Sequence, residues 1–247
     1  MIPQFIRLGA ASPSAFRAFK WLLAFNLLLI ALAIFLGIFK YSDKSSPTRY
    51  FGEGRFPTVA SILQLAATGA ICAAVFARRR QAGGASAARR PSFIWLAFAA
   101  GFVFLALDEW LEIHENLDGW IHKYVLQQPP TNLTDRIDDF IIIGYGGIGL
   151  GLIVLFRREL THFGPALPYL AFAFVASVLS VGADAVSNRE DLISGPLHTW
   201  VTVGDDVFKL LAEAGFLAAS VAALTLARDL GSPLRTSPEG PKKPSPG

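Results

Sequence analysis

Six apolar blocks of similar length recur along the chain, each set off from the next by a polar connection. They run Phe19–Phe39, Pro57–Ala77, Phe93–Ile113, Ile137–Phe156, Ala166–Val186 and Thr202–Ala227. A helix needs about 20 apolar residues to cross a hydrocarbon core about 30 Å thick, and each block meets that length. The pattern predicts an all-α polytopic membrane helix bundle with six transmembrane helices, forming one domain over residues 1–228. The first block follows Arg7 and Arg17, with Lys20 at its start, as a signal peptide would. Its apolar run is longer than the about 7–15 residues of a signal peptide's core, and no small-x-small site follows, so it is read as a retained helix.

Lys and Arg in the connections set the expected orientation, since they accumulate on the cytoplasmic side. Arg7 and Arg17 precede the first block and Lys20 lies at its start. Arg78, Arg79, Arg80, Arg89 and Arg90 follow the second, Arg157 and Arg158 the fourth, and Arg228, Arg235, Lys242 and Lys243 the sixth. These regions belong on one side, which places both termini in the cytoplasm of a cell membrane, the inner membrane in a Gram-negative bacterium. The segment from Lys40 to Arg55 dissents mildly. Residues 229–247 carry five prolines with Gly, Ser and Lys and no apolar face, the composition of a disordered tail.

Composition sharpens this picture at three points. Of 247 residues, 53% are hydrophobic and 17% charged, against about a quarter charged in a soluble domain. The net charge of +3 comes from basic residues flanking apolar blocks, which argues against nucleic acid as a partner. The lone Cys72 excludes a disulfide framework and is expected to be a small packing residue. Trp21, Trp95, Trp110, Trp120 and Trp200 fall near block boundaries, as an interfacial belt would. Gly144, Gly146, Gly147, Gly149 and Gly151 predict a fourth helix that packs closely on neighbours, within the chain or in a homo-oligomer.

The candidate chemistry gathers on the side opposite the basic connections. Asp108, Glu112 and Glu115 share one helical stripe at the end of the third block, with Glu109 and His114 beside it, and His122 continues it if the helix persists past Gly119. Asp138 and Asp139 open the fourth block, Ser180 and Asp184 share a face of the fifth, and Asp205, Asp206, Lys209 and Glu213 lie along the sixth. Glu213 falls about 11 residues, or roughly 16 Å, inside its block. An ionisable group there costs about 2.5–3.5 kcal/mol unless it finds a partner or water, and Lys209 one turn away is the nearest partner. Asp138, Asp139, Asp205 and Asp206 are also placed to cap helix N-termini. Asp108, Glu109, Glu112, Glu115 and Asp184 sit at C-terminal ends, where the dipole opposes negative charge. A bound cation, a shared proton, or Lys209, Arg136 and Arg189 as counter-ions would favour them.

Carboxylates suit hard cations such as Ca²⁺, Mg²⁺ or Mn²⁺, and His114 and His122 would admit Zn²⁺ or Fe. The expected divalent metal site comprises Asp108, Glu112, Glu115, His114, His122 and Asp184. His114-Glu115-Asn-Leu-Asp118 matches HExxH only in part, since Asp118 stands where the second His belongs. Ser194-Gly-Pro-Leu-His198, expected in a loop, resembles the Ser-xxx-His element of ceramidase and progestin/adiponectin-receptor type membrane hydrolases. That family's His-xxx-His pair is missing here, and no family is assigned. Three functions compete. One is a metal-dependent hydrolase acting on a lipid or other amphiphile, with Glu115 or Glu213 as general base. The second is a cation or proton-coupled transporter, which the apolar cytoplasmic halves disfavour apart from Asn26, Ser61, Gln64 and Thr68. The third is a structural subunit held together by ion pairs.

Overall fold

The long apolar blocks fold as helices because a lipid-facing backbone can satisfy its N–H and C=O groups only within the segment itself. The structure, a computed structural model, describes residues 12–40, 46–52, 54–82, 92–127, 137–187 and 193–231. Helix α1 spans Pro13–Phe39 with Pro13 in the first turn, where its missing N–H costs nothing. A short 3₁₀ turn, Pro47–Tyr50, leads to α2, Phe56–Ala82. Then follow α3 (Phe93–Leu111), α4 (Ile113–Trp120) with a π-helical turn at Ile121–Leu126, α5 (Ile137–Leu155) and α6 (Arg157–Thr161). A 3₁₀ turn at Gly164–Ala166 precedes α7 (Leu167–Ser187) and α8 (Gly195–Gly231). Among the described residues there is no strand. Five helices, α1, α2, α3, α7 and α8, are long and apolar enough to cross a membrane, and α5 adds a shorter apolar stretch at Phe140–Leu155. The chain is a multi-pass helical membrane bundle.

Helix α8 is the hub, packing most extensively on α7, then on α2 and α1, while α3 lies against α2. Small residues permit the close approach: Ala214, Ala218, Ala222, Ala223 and Ala227 are fully buried. A side chain at Gly215 would come within 2.9 Å of Ala173 Cβ on α7. One core cluster joins Ala218, Ala222, Ala223 and Ala227 to Trp95, Phe163, Tyr169, Leu160, Cys72 and Val75. A second brings Phe51 against Ile30, Ala33, Val203 and Leu210, so the connection after α1 folds back into the bundle.

Four features depart from the sequence pattern. The third helix breaks at Glu112, whose φ of 52° is left-handed, instead of running through His114. The sixth begins at Gly195, seven positions before Thr202, because Gly195 takes φ 61° and Pro196 follows in the first turn. Ser194 therefore abuts a helix start and His198 lies inside α8. Trp95 is buried in the core at 4% exposure, unlike an interfacial belt residue, whereas Trp21, Trp110, Trp120 and Trp200 stay exposed. Finally, a side chain built at any of the five α5 glycines meets nothing within 4 Å. Among the described residues, nothing packs closely on these glycines. The expected tail lies, from residue 232 onward, outside the described residues.

Candidate functional site

The break at Glu112 creates the first part of the site. When α3 stops and α4 starts afresh, new unpaired N–H groups appear at the start of α4. Asp108, one turn back in α3, turns its carboxylate onto them. Its Oδ1 accepts the His114 backbone N–H at 3.0 Å and its Oδ2 meets His114 Nδ1 at 2.8 Å. Asp108 thus caps the following helix, where the dipole favours an acid. The bond to Asp108 holds the His114 imidazole above its ordinary pKa of 6.5, against a partial burial that acts the other way. His114, well over 100° from Asp108 on an ideal helix, reaches it because the helix does not continue.

The second part forms where α3, α7 and α8 meet α2. Lys209 Nζ on α8 lies 2.6 Å from both Oε1 and Oε2 of Glu109 on α3. Asp206 and Glu213 stand one turn to either side of Lys209 along α8. Ser180 Oγ on α7 donates to Asp205 Oδ1 at 2.5 Å, and Ser61 Oγ on α2 donates to Glu213 Oε1 at 2.5 Å. Glu213 is only 4% exposed, and its Oε2 is buried with no hydrogen-bond partner. Because α8 begins at Gly195, Asp205 and Asp206 lie three turns inside the helix and cap nothing.

Both parts line a single cavity of ≈ 1110 Å³. Eight of its described lining residues are carboxylic acids, against Lys209 and His114 as the bases. Glu112, Glu115 and Asp184 belong to this lining together with Asp108 and Glu109. Away from the acids the walls become apolar, through Phe98, Phe102 and Leu105 of α3 to Trp95, Leu160 and Phe163. From the level of Glu109 to that of Trp95, α3 covers about 21 Å. Gly146, Gly147 and Gly149 of α5 line the cavity, and so do Ile143, Ile148 and Val178, which are also more than half exposed on the outer surface. Among the described residues, the cavity wall between α5 and α7 is therefore thinly closed.

Not every expected residue joins. His122 is buried, but its Nδ1 pairs with its own helix, 3.0 Å from Asp118 Oδ1 and 3.2 Å from the Asp118 carbonyl. It does not line the cavity. Glu115 is half exposed, with His114 Nε2 3.9 Å from its Oε1. Among the described residues, no three His, Cys, Asp or Glu side chains converge in metal-holding geometry. Asp138 and Asp139 occupy the first turn of α5, while their side chains, like Asp135, Arg136 and Arg189, lie outside the described residues.

Two polar groupings are paired in ways the sequence reading did not foresee. Asn26 Nδ2 donates to the Leu210 carbonyl at 2.8 Å and to Gln64 Oε1 at 3.2 Å, and Gln64 Nε2 returns a bond to Asn26 Oδ1 at 3.1 Å. This buried layer lies one turn along α8 from Glu213. At the other end of the bundle, Arg79 holds Glu159 through two bonds of 2.8 and 2.9 Å. Isolated amides within apolar blocks were the available signal for the first. Nothing local marks the second, whose partners are 80 positions apart.

Residues 21–224 match the model of a domain of unknown function, DUF8692. The match covers most of the chain, which therefore belongs to that family. No curated protein and no solved structure matches the chain.

Proposed function

We propose that this member of the DUF8692 family is a membrane-embedded hydrolase for an amphiphile, which enters from the bilayer with its chain in the apolar arm and its head among the carboxylates. The observation that carries this reading is the continuity of the cavity, from ionisable groups at one end to aromatic and aliphatic walls at the other. An arm of about 21 Å exceeds the roughly 15 Å depth of one leaflet's hydrocarbon, so it accommodates a lipid chain. Its volume of ≈ 1110 Å³ is above the about 300–1,000 Å³ common for small-molecule sites.

Glu213 is the general base of this proposal. Ser61 fixes Oε1, and Oε2, without a partner among the described residues, accepts a proton from water as the water oxygen bonds to the head's carbonyl or phosphoryl centre; the bond to the leaving alcohol or amine then breaks, and that group takes the proton from Glu213. Lys209 supports the negative charge that develops there. A divalent ion among Asp108, Glu112, Glu115 and Asp184 stays a separate component, because it would have to draw these groups together. Elemental analysis of the purified protein against the Asp108→Asn/Glu112→Gln variant tests it. The expected result is near one metal per chain, lost in the variant, and background levels in both would remove the metal. The base is tested by turnover of long-chain esters and amides in lipid nanodiscs. Glu213→Gln is expected to lower the rate by about 10²–10⁴-fold, and unchanged turnover would remove Glu213 from the chemistry. The proposal includes an orientation with both termini in the cytoplasm.

The Asn26–Gln64 layer favours a second reading, proton-coupled transport, because it adds polar groups deep in α1 and α2 next to Glu213. Proton flux in proteoliposomes that vanishes in Glu213→Gln, without any hydrolysis, would put this reading first.

A further inference from the structure

The end of the bundle away from the cavity's acids carries chemistry of its own. Arg79 of α2 holds Glu159 of α6 through two bonds of 2.8 and 2.9 Å, and Glu159 is 3% exposed. A bidentate bond of this kind fixes the two elements against each other. Arg78 and Arg80 flank Arg79, and Arg157 and Arg158 immediately precede Glu159. All four are exposed, so the bond gathers four guanidinium groups at the junction of α2 and α6. Its own two charges cancel, and it neutralises none of the four. Among the described residues, no carboxylate pairs with any of them. The adjoining connections offer little compensation, because residues 78–92 contain no acid and residues 156–166 contain Glu159 alone.

Apolar surface adjoins these charges. Val154 and Leu155, at the end of α5, are 57% and 74% exposed, and Arg157 follows two positions after Leu155. The Phe76 ring lies 5.8 Å or less from a guanidinium, at 5.7 Å from that of Arg80, and Phe163 lies 5.8 Å from that of Arg79. The charges therefore stand where the apolar spans end. A soluble polyanion would match the arginines and leave Val154 and Leu155 bare. A zwitterionic lipid would cover the apolar residues and leave the positive charge unmatched.

We propose that the α2–α6 junction binds an anionic phospholipid, with its phosphate on Arg157 and Arg158 and an acyl chain along Val154 and Leu155. Arg78 and Arg80 add to the attraction from α2. The planar guanidinium donates two parallel N–H bonds to phosphate oxygens, which an ammonium cannot do. Each basic residue near a membrane surface strengthens anionic lipid binding about fivefold. Neither the cavity nor its acids take part, so this site stands or falls separately from the hydrolase reading. A lipid seated here spans α5 and α6 beside the Arg79–Glu159 bond and stabilises the junction.

The test uses the full chain in a neutral detergent, titrated with phosphatidylglycerol, phosphatidylcholine and water-soluble glycerol 3-phosphate. Binding is followed by the rise in unfolding temperature and by lipid-bound species in native mass spectrometry. Both ends are accessible in detergent, so the direction of insertion does not enter the result. Phosphatidylglycerol is expected to bind about tenfold or more tightly than phosphatidylcholine, and glycerol 3-phosphate to show no saturable binding. Arg157→Gln/Arg158→Gln should erase that margin. Arg17→Gln/Lys20→Gln, which removes two exposed basic residues of α1, should leave it unchanged. Equal binding of the two lipids would overturn the anionic assignment. Glycerol 3-phosphate that binds as tightly as the lipid would overturn the lipid in favour of soluble phosphate. A preference that survives Arg157→Gln/Arg158→Gln, or falls equally in the α1 variant, would overturn the site in favour of diffuse surface charge. Should the double variant fail to fold, Arg157→Gln and Arg158→Gln singly decide the matter, each with an expected loss of about fivefold.

Discussion

At the scale of single residues, Asp108 and His114 show how a local break redistributes charge. Asp108 stands near the C-terminal end of α3, where the dipole works against it, yet it satisfies the start of α4. His114 repays this with a bond to the same carboxylate, and its pKa rises for that reason first. A group whose folded-state pKa exceeds its unfolded value stabilises fully below the unfolded pKa of about 6.5, and that contribution fades as pH climbs through the folded value. The wild type is thus expected to exceed His114→Gln in stability by about 1 kcal/mol at pH 6, a low figure because the ring keeps some contact with solvent. The gap should shrink toward pH 9. Thermal unfolding of both proteins across this range checks it, and a gap that widens with pH would reverse the sign of the coupling. The pairing was invisible in the sequence. Helical spacing put the two residues on different faces, and only the left-handed Glu112, a conformation no residue type demands, brings them together.

Elements differ in how tightly their glycines are held, and this separates framework from the proposed portal. Gly215 of α8 lies where an added Cβ would meet Ala173 Cβ at 2.9 Å and Phe172 Cδ1 at 3.0 Å. Gly146 of α5 has open space, and α5 touches its neighbours only lightly. Gly215→Ala is expected to destabilise by about 1–3 kcal/mol through overpacking. Gly146→Ala should be tolerated, or gain up to about 1 kcal/mol from the better helix former. Gly146→Phe should insert and unfold normally but abolish amphiphile binding by plugging the thinly closed wall between α5 and α7, the proposed point of entry. Unfolding temperatures of the three variants, with titration of the third by a long-chain ester, test the contrast. A folded Gly146→Phe that binds as wild type would move the portal away from α5. The glycine run was legible as a narrow helix, but sequence offers no way to tell glycines that admit a neighbour from glycines that leave room for a ligand. The helices themselves were legible because lipid enforces continuous apolar runs. The start of α8 was not, since Gly195 and Pro196 look like a loop until the chain is seen to turn helical at once.

For the molecule as a whole, the two ends of the bundle carry opposite chemistry, and the proposed orientation rests on that asymmetry. Arg78, Arg79 and Arg80 close α2, and Arg157 and Arg158 open α6 at the same end, where Arg79 binds Glu159. This pair offsets one charge only, so Arg78, Arg80, Arg157 and Arg158 remain as the basic residues on which the proposed cytoplasmic placement of that end rests. The acids around Glu109 and Asp206 gather toward the other end and contribute little to topology, since Lys and Arg rather than net charge set it. The separation of a basic end from an acidic one was legible because it depends on where charges fall along the chain. The pairing of Arg79 with Glu159, or of Ser61 with Glu213 across 152 positions, depends on which helices become neighbours, which hydropathy does not encode. In a Cys72→Ala background, Leu197→Cys at the start of α8 is expected to react with an impermeant maleimide on intact cells. Gln81→Cys at the end of α2 should react only after lysis. Both positions are exposed, so silence would reflect the membrane barrier and not burial. The reverse labelling pattern would place the basic end outside, and would turn the cavity's acidic end toward the cytoplasm.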